Sequence, residues 1–284
     1  MPAPAVHSIK PPRWNYNAGL ISAPYRYWAM RATALFPFFE IGGRVRDYRN
    51  ALIASTTAPW ISTPYGPAQE FTTDAQKATT SYISLLDPPL ITVWARIRIL
   101  TSIASQEIIT QKGWTSHVSP FYIWSLMAST TQLRWLVTST TAQSSLSSTT
   151  NYVQNQWLDL IGTWDGITNR LWSKRLDTPN TVLTASAAFS GTLRATSTGI
   201  TIGGYRNITD PSHYDIAAIG VWPYGFTNSE VYSFLKDPMG IFRPAWYDLP
   251  AIITAPAPIT GQPTMRRWGG VTFIPKTHRN RRGW

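Results

Sequence analysis

Short runs of alternating or continuous apolar residues, each bounded by proline, glycine or aspartate, recur between residues 68 and 222. The clearest are 68–71, 81–85, 90–99, 107–112, 121–127, 133–138, 157–164, 169–174, 199–202 and 214–222. Alternation with a period of two sends successive side chains to opposite faces, so these ten runs are predicted to be strands. Trp164-Asp165-Gly166 reads as a hairpin turn in which glycine supplies a positive φ and Asp165 is a turn residue. Thr138 to Thr150, with Ser144, Ser145, Ser147 and Ser148 and no charge, reads as a surface loop. A single helix is signalled: Thr227-Asn228-Ser229-Glu230 fits a capping box, Val231, Tyr232, Phe234 and Leu235 follow, and Pro238 stops it. Many strands and one short late helix predict an all-β antiparallel β-sandwich of two packed sheets.

The two ends read differently. Pro2, Pro4, Pro11, Pro12, Pro24 and Pro37 bias residues 1–39 toward an extended, Pro-rich basic N-terminal arm. Residues 40–243 hold the sandwich, and 244–284 form a Pro-rich linker followed by a basic aromatic tail, with 252–263 free of charge and extended. Residues 1–31 carry +4 and 243–284 carry +6, whereas 32–242 carry only +1 of the net +11. Cationic ends on a near-neutral body favour docking on an anionic surface. The arms also hold aromatics, and arginine with aromatics is the composition of buried contact surfaces. The expected assembly contacts are Arg13, Trp14, Tyr25, Tyr27, Trp28, Trp246, Arg266, Arg267, Trp268, Arg281, Arg282 and Trp284.

Composition narrows the chemistry. The 284 residues include 14 Trp, 13 Tyr and only 14% charged residues, which disfavours long solvated helices. With no cysteine, disulfides, thiol nucleophiles and thiolate metal sites are excluded. Met1-Pro2-Ala3-Pro4 lacks the start of a secretory signal, and no run reaches the roughly 18–20 apolar residues of a membrane span, so no membrane partner is expected.

Six segments carry a resemblance. Gly43 to Asn50 with Gly66-Pro67-Ala68-Gln69-Glu70-Phe71 and Tyr82-Ile83-Ser84-Leu85 resembles the opening of laminin G-like, concanavalin A-type jelly rolls. Leu90 to Ile97 resembles that family's "Thr-Ile-Ser-Ala-Trp-Val-Arg" strand, and Ile108 to Gly113 its "Ile-Val-Ser-Lys-Gly" strand. Gln156 to Gly166 is similar to "Gln-Trp-His-His-Val-Ala-Gly-Thr-Tyr-Asp-Gly", and Gly199 to Gly204 and Ile216 to Trp222 complete the order. The sequence departs after Lys174, where Arg175-Leu176-Asp177 stands in place of a glycine turn. Lys236-Asp237-Pro238-Met239-Gly240-Ile241-Phe242-Arg243-Pro244 resembles the closing segment of jelly rolls among tailed-bacteriophage virion components.

The resemblance implies a laminin G-like jelly roll with one short C-terminal helix, serving as a non-enzymatic structural protein of the virion: a capsid decoration or a tail-associated component. Its implied partners are other virion proteins, and a homo-oligomer such as a trimer is expected. The alternative is a carbohydrate-binding module or host-attachment adhesin. In that reading Trp114, Trp124, Trp135, Tyr152 and Tyr205 stack on sugar rings, against the competing expectation that Trp in a sandwich is core. A glycoside hydrolase would need two carboxylates facing the sugar, usually close on one strand, but Glu40, Glu70, Glu107 and Glu230 are scattered. His7, His117, His213 and His278 lack zinc-ligand spacing. No cofactor is expected. Calcium, common in such folds, would have to use Asp47, Asp74, Asp165, Asp210 or Asp215, and no adjacent pair of acids marks a site. A nucleic-acid role for the tail stays open beside protein contact.

Overall fold

The computed structural model describes residues 23–38, 44–46, 53–73, 76–101, 106–113, 122–203, 214–242, 266–268 and 271–273. Helix α1 (Ala23–Arg31) comes first and leads into β1 (Ala34–Pro37), then β2 (Arg44–Arg46), β3 (Ile53–Ser55), β4 (Trp60–Thr63), β5 (Gly66–Phe71) and β6 (Ala78–Thr79). The central strands are β7 (Ile91–Ile99), β8 (Gln106–Lys112), β9 (Trp124–Ser129), β10 (Gln132–Thr138) and β11 (Gln143–Asn151). There follow β12 (Trp157–Trp164), β13 (Thr168–Arg175), β14 (Thr181–Ala188), β15 (Ile200–Ile202), β16 (Tyr214–Trp222), α2 (Asn228–Phe234), β17 (Arg266–Trp268) and β18 (Val271–Phe273).

Two antiparallel sheets make the sandwich. One runs β14-β13-β12-β7-β16-β5-β4, the other β11-β10-β9-β8-β15-β6. Strand β16 shares one side between two neighbours: Tyr214 to Ile216 pair with β5, and Ala218 to Val221 pair with β1. The core between the sheets takes Val93, Ala95, Ile97 and Ile99 from β7, Leu158, Leu160 and Trp164 from β12, and Trp124, Leu126, Trp135 and Val137 from β9 and β10. Gly162 is required here, because a Cβ at that position would lie 2.1 Å from the Trp135 indole. The other face of β7 and β12 is also covered: Trp94, Ile161, Trp172 and Trp222 pack under α1 and α2 with Trp28, Phe226 and Phe234. Burial on both faces explains why β7, β12 and β16 read as nearly continuous apolar runs.

The capping box is present. Thr227 Oγ1 accepts from the Glu230 amide at 3.3 Å, and the Thr227 amide donates to Glu230 Oε2 at 2.8 Å. Asp165 Oδ1 accepts from the amides of Ile167 and Thr168, and Gly166 has φ +86°, as the turn requires. Lacking a glycine, the β13–β14 turn is closed by a bidentate Arg175–Asp177 pair.

Three expectations are corrected. The first 39 residues are not one extended arm: 23–31 are helical, and 34–37 join the larger sheet. Pro24 lies in the first helical turn, where its missing amide proton has no intrahelical acceptor to lose. The Ser/Thr-rich stretch is not a loop, because 143–151 form β11: Leu146 and Ser148 point inward, and Ser148 Oγ accepts from the Leu133 amide. Thr and Ser hydroxyls satisfy themselves locally on an edge strand, so a lack of apolar alternation did not prevent pairing. Residues 81–85 are not a strand; a 3-10 turn spans Ser84–Leu86, and Tyr82 Oη donates to Asp87 Oδ2.

Candidate functional site

A cleft of about 410 Å³ opens on the outer face of the larger sheet, lined by Tyr65, Arg96, Lys174, Leu176, Asp177, Thr178, Pro179, Lys236 and Asp237. Its floor is a charged row within an otherwise apolar sheet. Asp159 is fully buried and accepts from Arg96 Nε at 2.9 Å, Arg96 Nη2 at 2.8 Å and Trp94 Nε1 at 3.0 Å. Register makes the row: Asp159 is paired with Arg96 on one side and Lys174 on the other. Lys174 Nζ donates to the Leu235 carbonyl at the end of α2, which ties the helix to the sheet. Tyr65, at the tip of the β4–β5 hairpin, is 40% exposed and meets the Trp157 ring edge to face at 6.2 Å. On the opposite wall the β13–β14 turn presents Leu176, Asp177, Thr178 and Pro179. The cleft thus combines an exposed ring, lysine donors and a threonine hydroxyl, groups that can hold a polar ligand.

A second charged row lies one step along the sheet. Arg98 Nε donates to Asp215 Oδ2 at 2.6 Å, its guanidinium stands over the Trp157 ring at 5.4 Å, and Glu70 is the register partner of Asp215 on the other side. Burial raises the Asp215 carboxyl to about 6, with Arg98 opposing and Glu70 adding to the shift. At the far rim, fully buried Lys112 is bound to Asp87 and donates to the Thr196 carbonyl at 2.8 Å. Desolvation lowers the Lys112 ammonium, against the pull of Asp87.

Most described carboxylates are committed to holding the fold. Asp87, Asp159, Asp165, Asp177 and Asp215 each face a cation, Asp237 accepts from Tyr25 Oη at 2.8 Å, and Glu230 caps α2. For Asp165, burial is the largest influence and acts upward, but Arg170 and the two turn amides together hold it below the ordinary carboxylate range. Among the described residues no group of three His, Asp or Glu side chains is placed to hold a metal ion. Of the calcium candidates, Asp165 and Asp215 are so engaged, and Asp47, Asp74 and Asp210 lie outside the described residues. No helix among them is long and apolar enough to cross a membrane.

The predicted contact residues divide. Tyr25 and Trp28 are turned inward: the Tyr25 ring fills the space above Gly240, and Trp28 packs on Phe226 and Phe234 while its carbonyl accepts from Trp222 Nε1 at 2.8 Å. Residues 238–242 form a 3-10 turn that packs against α1, with Phe242 stacked on Trp94 at 6.4 Å. Tyr27 remains 47% exposed, beside Arg31, and donates to Glu230. Arg266, Arg267 and Trp268 lie together on β17, paired with Phe273, Thr272 and Val271 of β18. Arg13, Trp14, Trp246, Arg281, Arg282 and Trp284 lie outside the described residues.

Two members of the predicted sugar platform are corrected. Trp124 and Trp135 are fully buried between the sheets and offer no ring face, and Tyr152 packs on the core and donates to the Thr130 carbonyl. Trp114 and Tyr205 lie outside the described residues. The cleft was missed because its lining comes from four separated segments. A signal for its floor did exist, however: Asp159 is a lone charge in its apolar run and Arg96 stands with Arg98 in another, and such charges are buried only as partners.

No protein-family model and no curated protein matches the chain. Solved structures do. Trypanosoma rangeli sialidase is similar over 75% of this chain and 33% of its own, with TM-score 0.53 and 13% identity. The same enzyme in complex with sialic acid gives 0.53, 12%, 75% and 34%. The receptor binding domain of botulinum neurotoxin type G is similar over 73% of this chain and 51% of its own, with TM-score 0.53 and 12% identity. The chain spans between a third and about half of the length of these proteins. At such identity the likeness establishes one thing, the β-sandwich fold.

Proposed function

We propose that the chain is a non-enzymatic structural component of a virus particle of the tailed-phage kind, seated on neighbouring capsid or tail subunits through its basic C-terminal segment. One observation carries this reading: residues 243–284 hold seven bases against one acid, and among the described residues their hairpin, β17-β18, pairs with neither sheet of the sandwich. A two-stranded hairpin is marginal in water without a covering surface. The residues of β17 and β18, Arg266-Arg267-Trp268 and Val271-Thr272-Phe273, combine positive charge with apolar types, the composition that a partner would cover. The commitment of the described carboxylates to ion pairs and caps supports a binding role over hydrolysis. The test compares the full chain with a form lacking 264–284 for co-sedimentation with purified particles. Retention of the full chain and loss of the shortened one is expected; equal retention contradicts the reading.

The cleft favours a second reading, glycan recognition. Tyr65 presents a ring for stacking, and Lys174, Lys236 and Thr178 present donors beside it. A mono- or disaccharide matches a cleft of about 410 Å³. Glycan-array binding that is lost in Tyr65→Ala and Lys236→Ala, with particle association unchanged, would favour this over docking.

A further inference from the structure

The two sheets end on one side of the sandwich in β11 and β14, which lie against each other, and Asn169 of β13 donates to Ser144 of β11 at 3.0 Å. Among the described residues each strand has a hydrogen-bonded neighbour strand on one side only. The opposite side is protected by brevity: the edge strands there, β4 and β6, have four and two residues. Here the edges run for nine and eight residues, and none of residues 143–151 or 181–188 is charged or is proline. Of the devices that keep a sheet edge from pairing, this edge lacks lysine, proline and short length, and the irregularity along β14 is a register shift where Ala185 and Leu183 face Leu171 and Trp172.

The two strands differ in what pairing would cover. Strand β11 exposes Ser, Thr, Gln and Asn, which are already well solvated. Strand β14 exposes Val182 at 45% and Leu183 at 40%. Leu183 is the register neighbour of Trp172, whose ring meets that of half-exposed Tyr232 at 5.4 Å, so an apolar strip borders the edge. From this we infer that β14 is a self-association edge, pairing antiparallel with β14 of a second copy to join two seven-strand paths into one continuous sheet.

The second copy is favoured over another partner by charge and symmetry. The sandwich region, residues 32–242, carries only +1 of the net +11 and this edge carries no charge, so two copies can meet here without the repulsion of the cationic ends. An antiparallel strand pair is its own complement about a twofold axis, so the same residues serve both partners. The inference is independent of the virion reading, since it needs only the sandwich.

Sedimentation velocity of the full chain across the micromolar range tests it. A concentration-dependent dimer is expected. Val182→Lys with Ser186→Lys places like charges along both edges and should yield monomer, whereas Ser62→Lys on the opposite edge should leave the dimer intact. An equimolar mixture of the double Lys form with Val182→Glu/Ser186→Glu should restore a dimer that neither gives alone. Should the double Lys form fail to fold by circular dichroism, Ser186→Lys alone serves as the milder variant. A monomeric wild-type chain, or a dimer indifferent to these charges, overturns the inference; capture of an added extended peptide by a monomeric chain would assign the edge to another occupant.

Discussion

Replacing Asp159 with alanine tests the physical basis of the cleft floor. The carboxylate has no exposure, and its oxygens take three donors, two from the guanidinium of Arg96 and one from the Trp94 indole. Removing it leaves a cation with 7% exposure facing the space the carboxylate occupied and orphans a buried indole N–H. Breaking one partner of a buried pair costs about 3–5 kcal/mol, because the remaining charge keeps its desolvation penalty without its compensation. An unmade hydrogen bond at Trp94 belongs within that range rather than on top of it, since the same atom is removed in both accounts. Asp159→Asn keeps one acceptor and should lose about half as much, by the same reasoning. A double change, Arg96→Met with Asp159→Leu, removes both charges and should recover most of the loss, because apolar replacements of buried pairs are often neutral. The assay is urea unfolding followed by tryptophan fluorescence, read as a shift in midpoint at constant slope. A loss below about 1 kcal/mol for Asp159→Ala would refute the reasoning, since that is the range of solvent-screened surface pairs.

Other outcomes follow from the same geometry. Gly162→Ala should cost about 1–3 kcal/mol or more in thermal or urea unfolding, as the new methyl collides with the Trp135 ring inside a closed core. Thr227→Ala should cost about 0.5–2 kcal/mol by removing the acceptor for the first turn of α2, read in the same unfolding assay. Asp215 has a folded-state value of about 6, above its ordinary 3.8, so the native chain binds the extra proton between those pH values. Its contribution to stability is therefore complete below pH 4 and declines as pH rises through 6, a slope that Asp215→Asn should flatten in unfolding measured at a pH series.

The strands buried on both faces were legible as sequence. Trp157–Trp164 and Tyr214–Trp222 keep the bounds their apolar runs suggest, and the Thr227–Glu230 box announced its helix. Helix α1 was not legible, because Pro24 and the prolines before it speak locally for extension while its stability comes from Trp28 meeting Phe226 and Phe234 some two hundred residues away. Strand β11 shows the same limit in reverse: a run of hydroxyls looks like a loop until β10 supplies a register. The faces of β12 were also only half legible. Leu158 and Leu160 fill the core, as alternation requires, but Ile161 belongs to the layer under the helices and Trp157 packs on Ala68 and Ala217. Aromatic residues carried the least positional information, since a sandwich core and a sugar platform ask for the same side chains; Trp124 and Trp135 went to the first. The cleft needs long-range register to bring Tyr65, Arg96, Lys174 and Lys236 together, and no local pattern encodes that.

The most direct measurement of the proposed virion role is a reconstruction by electron cryomicroscopy of the particle to which the chain is proposed to belong. The account predicts density for the sandwich at the particle surface, with the segment around Arg266, Arg267 and Trp268 laid against a neighbouring subunit. A particle without the chain, or one that holds it through the sandwich alone with the C-terminal segment touching nothing, would contradict it.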